Sequence, residues 1–189
     1  MEIGELILDA DICMKLGRFV KLPFIELIIP KLTKKAYIHK YVYKDEILTP
    51  KSAKDQIDKL VNAGIVEILH EDNLSPADRM VFEATKNKLK WAMVGTKEKG
   101  KNWGEVLSLS MAKTLGMPVF MTDERDLQAI IDRNLNTGTP YDINMFRVID
   151  LILWIKSHPD CGINRKTAQA VWISAGKDKD YFQTSIWKI

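Results

Sequence analysis

The apolar positions change period between Gly104 and Gln128, and that change organises the reading of the chain. Val106, Leu109, Ala112 and Leu115 recur at helical spacing and predict a helix with one apolar face. Gly116 is placed to end it in a left-handed cap, and Pro118 prevents its continuation. Val119, Phe120 and Met121 are too few for a helix and predict a strand covered on both faces. That run meets Thr122, Asp123, Glu124 and Asp126, after which residues 127–135 resume a helix that Gly138 and Pro140 end.

The same alternation extends along the chain. Leu6, Ile7 and Leu8 predict a strand that runs into Asp9, Ala10 and Asp11. Residues 12–33 predict mostly apolar helix interrupted at Pro23 and Pro30, with Phe24, Leu27, Ile28 and Leu32 on the buried face. Residues 37–43 alternate as a β-like run, followed by Asp45 and Glu46. Residues 52–63 predict a surface helix with Ile57, Leu60 and Val61 inward and Gly64 at its end, and residues 65–69 a strand. Ser75 and Pro76 open a helix carrying Met80, Val81, Ala84 and Leu89. Residues 143–148 read as extended and 149–155 as apolar helix, and Asn164 caps a last helix with Ala168, Val171 and Trp172 inward. The aromatic tail, Tyr181, Phe182 and Trp187, either packs back on the domain or serves a homodimer contact. Strands alternating with helices predict a three-layer α/β/α sandwich around a mainly parallel sheet of four or five strands. Residues 1–189 read as a single domain, with those after about 150 as a C-terminal helical extension.

Composition narrows the class. The 46% hydrophobic and 28% charged content is that of an ordinary globular domain. There is no apolar run long enough to span a membrane and no secretory pattern, so the cytoplasm is the expected location. Cys13 and Cys161 make neither a disulfide framework nor a zinc site. The net charge of +3 demands no nucleic acid, although lysines group at Lys31–Lys44 and again from Lys86 to Lys101.

Carboxylates recur near expected strand ends and helix starts: Asp9 with Asp11, Asp45 with Glu46, Glu105, and Asp123 with Glu124 and Asp126. Singly, each has an ordinary reading as a helix cap or a complement to a helix dipole. Together, at the carboxyl edge of a parallel sheet, they make an acid set suited to Mg²⁺ or Mn²⁺. One or two such ions activate water and stabilise charge on a phosphate. No Ser–His or Cys–His pair and no glycine-rich phosphate loop competes with it.

LILDADICMKLG, the extended segment ending in YVYKDEIL, and GEVLSLSMAKTLGMPVFMTDERDLQ together resemble the PIN domain, a family of metal-dependent ribonucleases, over roughly residues 5–130. The GE opening and FRVIDLILWIKSHPDCGINRKTAQAVW are similar to a stand-alone prokaryotic subgroup. The resemblance implies an endoribonuclease whose catalytic acids are Asp9, Glu46, Glu105 and Asp123, ligands of Mg²⁺ or Mn²⁺ rather than covalent participants. Glu124 and Asp126 join the metal candidates, Glu124 competing with Asp123 for the fourth place; Asp11 and Thr122 stand beside them. RNA is the implied partner, with Lys15, Lys97, Lys99 and Lys101 assigned to its backbone. If the chain is the toxin of a toxin–antitoxin pair, as many small members are, its antitoxin is a separate protein. Asp9-Ala10-Asp11 also resembles the Asp-x-Asp of haloacid-dehalogenase-like phosphatases, with Asp9 as nucleophile, although Cys13 and Thr122 depart from that pattern. A third reading is a PIN-like scaffold that binds RNA or protein without cleaving.

Overall fold

The computed structural model describes residues 3–95 and 101–188. Five parallel strands form one sheet in the order β3-β2-β1-β4-β5. These are β1 (Leu6–Leu8), β2 (Ala36–His39), β3 (Val66–Leu69), β4 (Val119–Met121) and β5 (Asn144–Phe146). The register aligns Leu8 with Ile38 on one side and with Met121 on the other. Central strands this apolar must be covered on both faces, and they are. Leu6 and Leu8 join one hydrophobic cluster, while Ile7 and Phe120 join the other. Strand side chains alternate between faces, so adjacent residues of β1 divide between two cores. The result is the expected α/β/α sandwich.

One face carries α1 (Ala10–Leu16), α2 (Phe24–Leu32), α3 (Lys51–Asn62), α7 (Val148–Ser157) and α8 (Arg165–Ser174), whose buried residues share the Leu6 cluster. The other carries α4 (Pro76–Met93), α5 (Trp103–Leu115) and α6 (Leu127–Asn134). A short α9 (Lys179–Tyr181) and a π-helical turn (Phe182–Ile186) finish the chain. Phe182 is fully buried and lies against the rings of Trp172 and Trp187, so this end of the chain packs back on the fold.

Several local expectations are corrected by packing. Helix α5 is buried on every side from Val106 to Ala112 because it lies between the sheet and α4, while Leu115 emerges at its end. In α2, Ile25 and Ile29 are buried where Leu27 faces out, and Pro30 sits inside the helix without ending it. In α4, Met80, Val81 and Ala84 face outward, and Phe82 with Leu89 makes the buried contact. The β-like run stops at His39; the chain then coils, and Glu46 ends a π-helical turn (Val42–Glu46) rather than following a strand.

Other signals hold. Gly116 adopts φ +69 and closes α5, with Met117 N–H donating to the Ala112 carbonyl at 2.9 Å. Ser75 and Asn164 cap α4 and α8 through their side chains.

Gly17 sets how closely α1 and α3 approach. A Cβ there would overlap the Cα and Cβ of Ala53 and stand 2.9 Å from the Cys13 carbonyl oxygen. The obstruction is backbone, which cannot swing aside. Gly17→Ala is therefore expected to cost about 1–3 kcal/mol, the usual penalty of overpacking. Urea denaturation measures it, and an unchanged midpoint would show that α3 yields freely.

Candidate functional site

In this strand order the chain adds β2 and β3 on one side of β1 and then crosses to add β4 and β5 on the other. The crevice at the carboxyl ends of β1 and β4 is thus the topological switch point, where open α/β sheets place ligands. Asp9 leaves β1 there, and Thr122 and Asp123 leave β4. The Asp9 N–H donates to the Met121 carbonyl at 3.0 Å, which extends the β1–β4 pairing right up to the acid.

Asp9 is buried at 1% exposure. Thr122 Oγ1 donates to its Oδ2 at 2.8 Å, whereas Oδ1 is buried with no hydrogen-bond partner. Burial, then the charge of Glu105 and more weakly that of Glu46, pushes the carboxyl from 3.8 up to about 8 against the Thr122 bond. Glu46 is raised to about 7 by burial and then by Glu105, with the Gly104 N–H bond opposing. Glu105 opens α5, and its pKa is raised by burial first and by Glu124 and Asp11 beyond that, while Lys101 opposes. Three acids far apart in sequence therefore share one poorly solvated field.

Glycine is what lets Glu46 enter. A Cβ on Gly104 would fall inside the Glu46 carboxylate, so the acid lies directly against the first turn of α5.

Asp123 stands in different electrostatics. Its Oδ2 is gripped by Lys15 at 2.9 Å and by Lys177 at 2.7 Å. Burial would raise its pKa, but the bonds from Lys177 and Lys15 outweigh that and leave it lowered. Lys15 also reaches Asp11 at 2.8 Å, one helical turn back. Lys15, which the resemblance assigns to the RNA backbone, is thus paired with two carboxylates. Asp123 Oδ1, like that of Asp9, is buried and unpartnered.

Glu124 and Asp126 are exposed and line a cleft shared with Glu105, Asn102 and Lys101. Lys97 and Lys99 lie outside the described residues. Among the described residues, no three acids, histidines or cysteines stand close enough together to hold a metal as a preformed cage.

Two participants had no sequence signal. Lys177 lies in the loop after α8 and reaches Asp123 only because the C-terminal segment folds over the β4 end of the sheet. His39 ends β2 fully buried, stacked 6.4 Å from Phe82. Burial takes its pKa down to about 4, with Glu71 opposing, so the ring is neutral. Nδ1 accepts from Tyr41 N–H at 3.1 Å, which leaves the proton on Nε2 to be donated to Glu71 at 3.2 Å. This is a positioning role, since it holds the turn that leads to Glu46.

No protein-family model, curated protein or solved structure matches the chain. No described helix is long and apolar enough to cross a membrane.

Proposed function

We propose that this chain is a metal-dependent ribonuclease of the PIN-domain type, hydrolysing RNA phosphodiester bonds at the rim of Asp9, Glu46, Glu105 and Asp123. One observation carries the reading. Asp9 and Asp123 each keep a buried, unpartnered oxygen in a field where burial and mutual repulsion raise the pKa values of Asp9, Glu46 and Glu105. Orphaned buried acceptors are costly, and a concentration of them at a switch point calls for a positively charged occupant. The donors are all hard oxygens, which fits Mg²⁺ or Mn²⁺. Asp9 and Asp123 with Glu105 and Glu46 would hold it, and when bound it supplies Lewis-acid stabilisation of the phosphate and a more acidic water.

The chain's own groups divide the remaining work. Thr122 fixes the orientation of Asp9 through the 2.8 Å bond. Lys15 and Lys177 keep Asp123 ionised and offset the negative charge that an incoming phosphate meets. Lys101, exposed beside Glu105, is the remaining described lysine assigned to the RNA backbone. RNA as substrate, a separate antitoxin, homodimer formation and a cytoplasmic location belong to the same proposal.

Labelled RNAs of varied sequence, incubated with the full chain and Mn²⁺, Mg²⁺ or EDTA, test it. Cleavage in either metal and none in EDTA is expected. Absence of cleavage across all substrates would leave a binding module, and a trapped aspartyl-phosphate at Asp9 would establish the phosphatase reading instead.

A further inference from the structure

A second cleft, of about 490 Å³, opens beside the acid rim on the far side of Asp123. That volume lies in the usual range for a small-molecule site. Three segments build it. Asp123 and Arg125 follow β4, Arg147 follows β5, and Trp172, Lys177 and Tyr181 come from α8 and the chain beyond it.

Its charges are unbalanced once existing commitments are counted. Asp123 is already neutralised by Lys15 and Lys177. Asp178, also in the wall, uses its carboxylate to accept from Tyr181 N–H at 2.6 Å, which starts α9. The guanidinium groups of Arg125 and Arg147 form no salt bridge among the described residues, Asp150 accepting only from the Arg147 backbone N–H. Arg147 Nε is moreover buried without any hydrogen-bond acceptor. A guanidinium N–H held out of water and left unmatched is costly, and a phosphate oxygen is the acceptor whose charge and geometry suit it.

Part of the wall is aromatic. The Tyr181 ring stacks on Trp172, centroids 6.2 Å apart and planes 19° from parallel. Trp172 is 5% exposed and anchored by Nε1 donating to the Asp178 carbonyl at 2.6 Å, whereas Tyr181 is 53% exposed. A fixed inner ring thus supports an outer ring that is open to a stacking partner. Guanidinium groups and an exposed aromatic ring lining one cleft supply the two contacts that recognise an unpaired nucleotide, one for its phosphate and one for its base.

We infer that this cleft binds one nucleotide of a single strand, its phosphate at Arg147 and Arg125 and its base on Tyr181. Asp123 and Lys177 border both this cleft and the acid rim, so the bound nucleotide flanks the bond being cut. That last placement rests on the ribonuclease reading; the binding itself does not.

Calorimetric titration of the full chain with adenosine 5′-monophosphate, adenosine and inorganic phosphate, all in EDTA, separates the two. The monophosphate is expected to bind on the order of tenfold more tightly than either fragment. Arg147→Gln and Arg125→Gln should each remove the advantage over adenosine. Tyr181→Ala should weaken binding on the order of tenfold and bring it close to that of phosphate. Arg125 and Tyr181 are exposed, so their variants keep the test valid if Arg147→Gln fails to fold. Equal binding of adenosine and the monophosphate, or affinity unchanged in Arg125→Gln and Tyr181→Ala, overturns the inference. Because EDTA is present, loss of the ribonuclease reading leaves this result standing. Intact cleavage without nucleotide binding would overturn the cleft alone.

Discussion

Asp9→Asn is expected to slow metal-dependent RNA cleavage by about a hundredfold or more, the scale on which removing one charge-stabilising group slows an enzyme. In EDTA the same change is expected to remove the part of the pH dependence of stability that Asp9 contributes. The ordinary carboxyl value of 3.8 is raised to about 8 in the folded chain, chiefly by burial and then by Glu105. Between those values the folded state holds a proton that the unfolded state has released. Stability from this group is therefore fully present below about pH 4, falls as pH rises toward 8, and is flat beyond. Asparagine cannot ionise, yet it keeps an oxygen for the Thr122 hydroxyl. The variant should match the wild type near pH 4 and exceed it at pH 9 by several kcal/mol, since each tenfold change in proton affinity is worth about 1.4 kcal/mol. Glu46, raised to about 7, leaves a smaller residual slope in the same direction. Denaturant titrations at the two pH values measure the difference, and Mn²⁺ should raise the melting temperature of the wild type far more than that of the variant. Parallel pH profiles with equal metal shifts would remove Asp9 from the site and leave it a helix start.

Gly104→Ala is expected to reproduce the activity loss of Glu46→Gln while sparing the fold. The added methyl group would occupy the space of the Glu46 carboxylate, which is the mobile end of a side chain and can rotate away. Alanine favours the helix by up to about 1 kcal/mol over glycine, so the melting temperature should hold or rise slightly. The displaced glutamate then no longer reaches the field it shares with Glu105 and Asp9. The two changes act on one group, so the double variant should be no slower than either single one, a coupling that a double-mutant cycle reads directly. Full activity in Gly104→Ala would show that Glu46 takes no part.

These two positions show unequal legibility. Asp9 and Asp123 were readable because each follows an apolar run too short to be anything but a strand, and a strand's end is a fixed place on a sheet. Gly104 and Glu46 were readable as residue types but not as a contact, since nothing in local periodicity reports that one carboxylate lies against one Cα. Glu46 was expected after an extended segment, whereas it ends a π-helical turn that begins shortly after His39 accepts from the Tyr41 N–H.

Periodicity alone determined the alternation of helix and strand, the parallel sheet with both faces covered, and the acids at its carboxyl ends. Those follow from interactions within a few residues, the range over which side-chain direction repeats. Strand order was decided by tertiary structure, and with it the meeting of Asp9 and Thr122, 113 residues apart. Tertiary structure also folded the C-terminal segment over the rim, setting Lys177 on Asp123 and Tyr181 in one cleft with Arg147. Ammonium and carboxylate groups attract through space regardless of where they lie in the chain. Their pairing is therefore written in the packing of α8 against α1 and the sheet, and not in any spacing along the sequence.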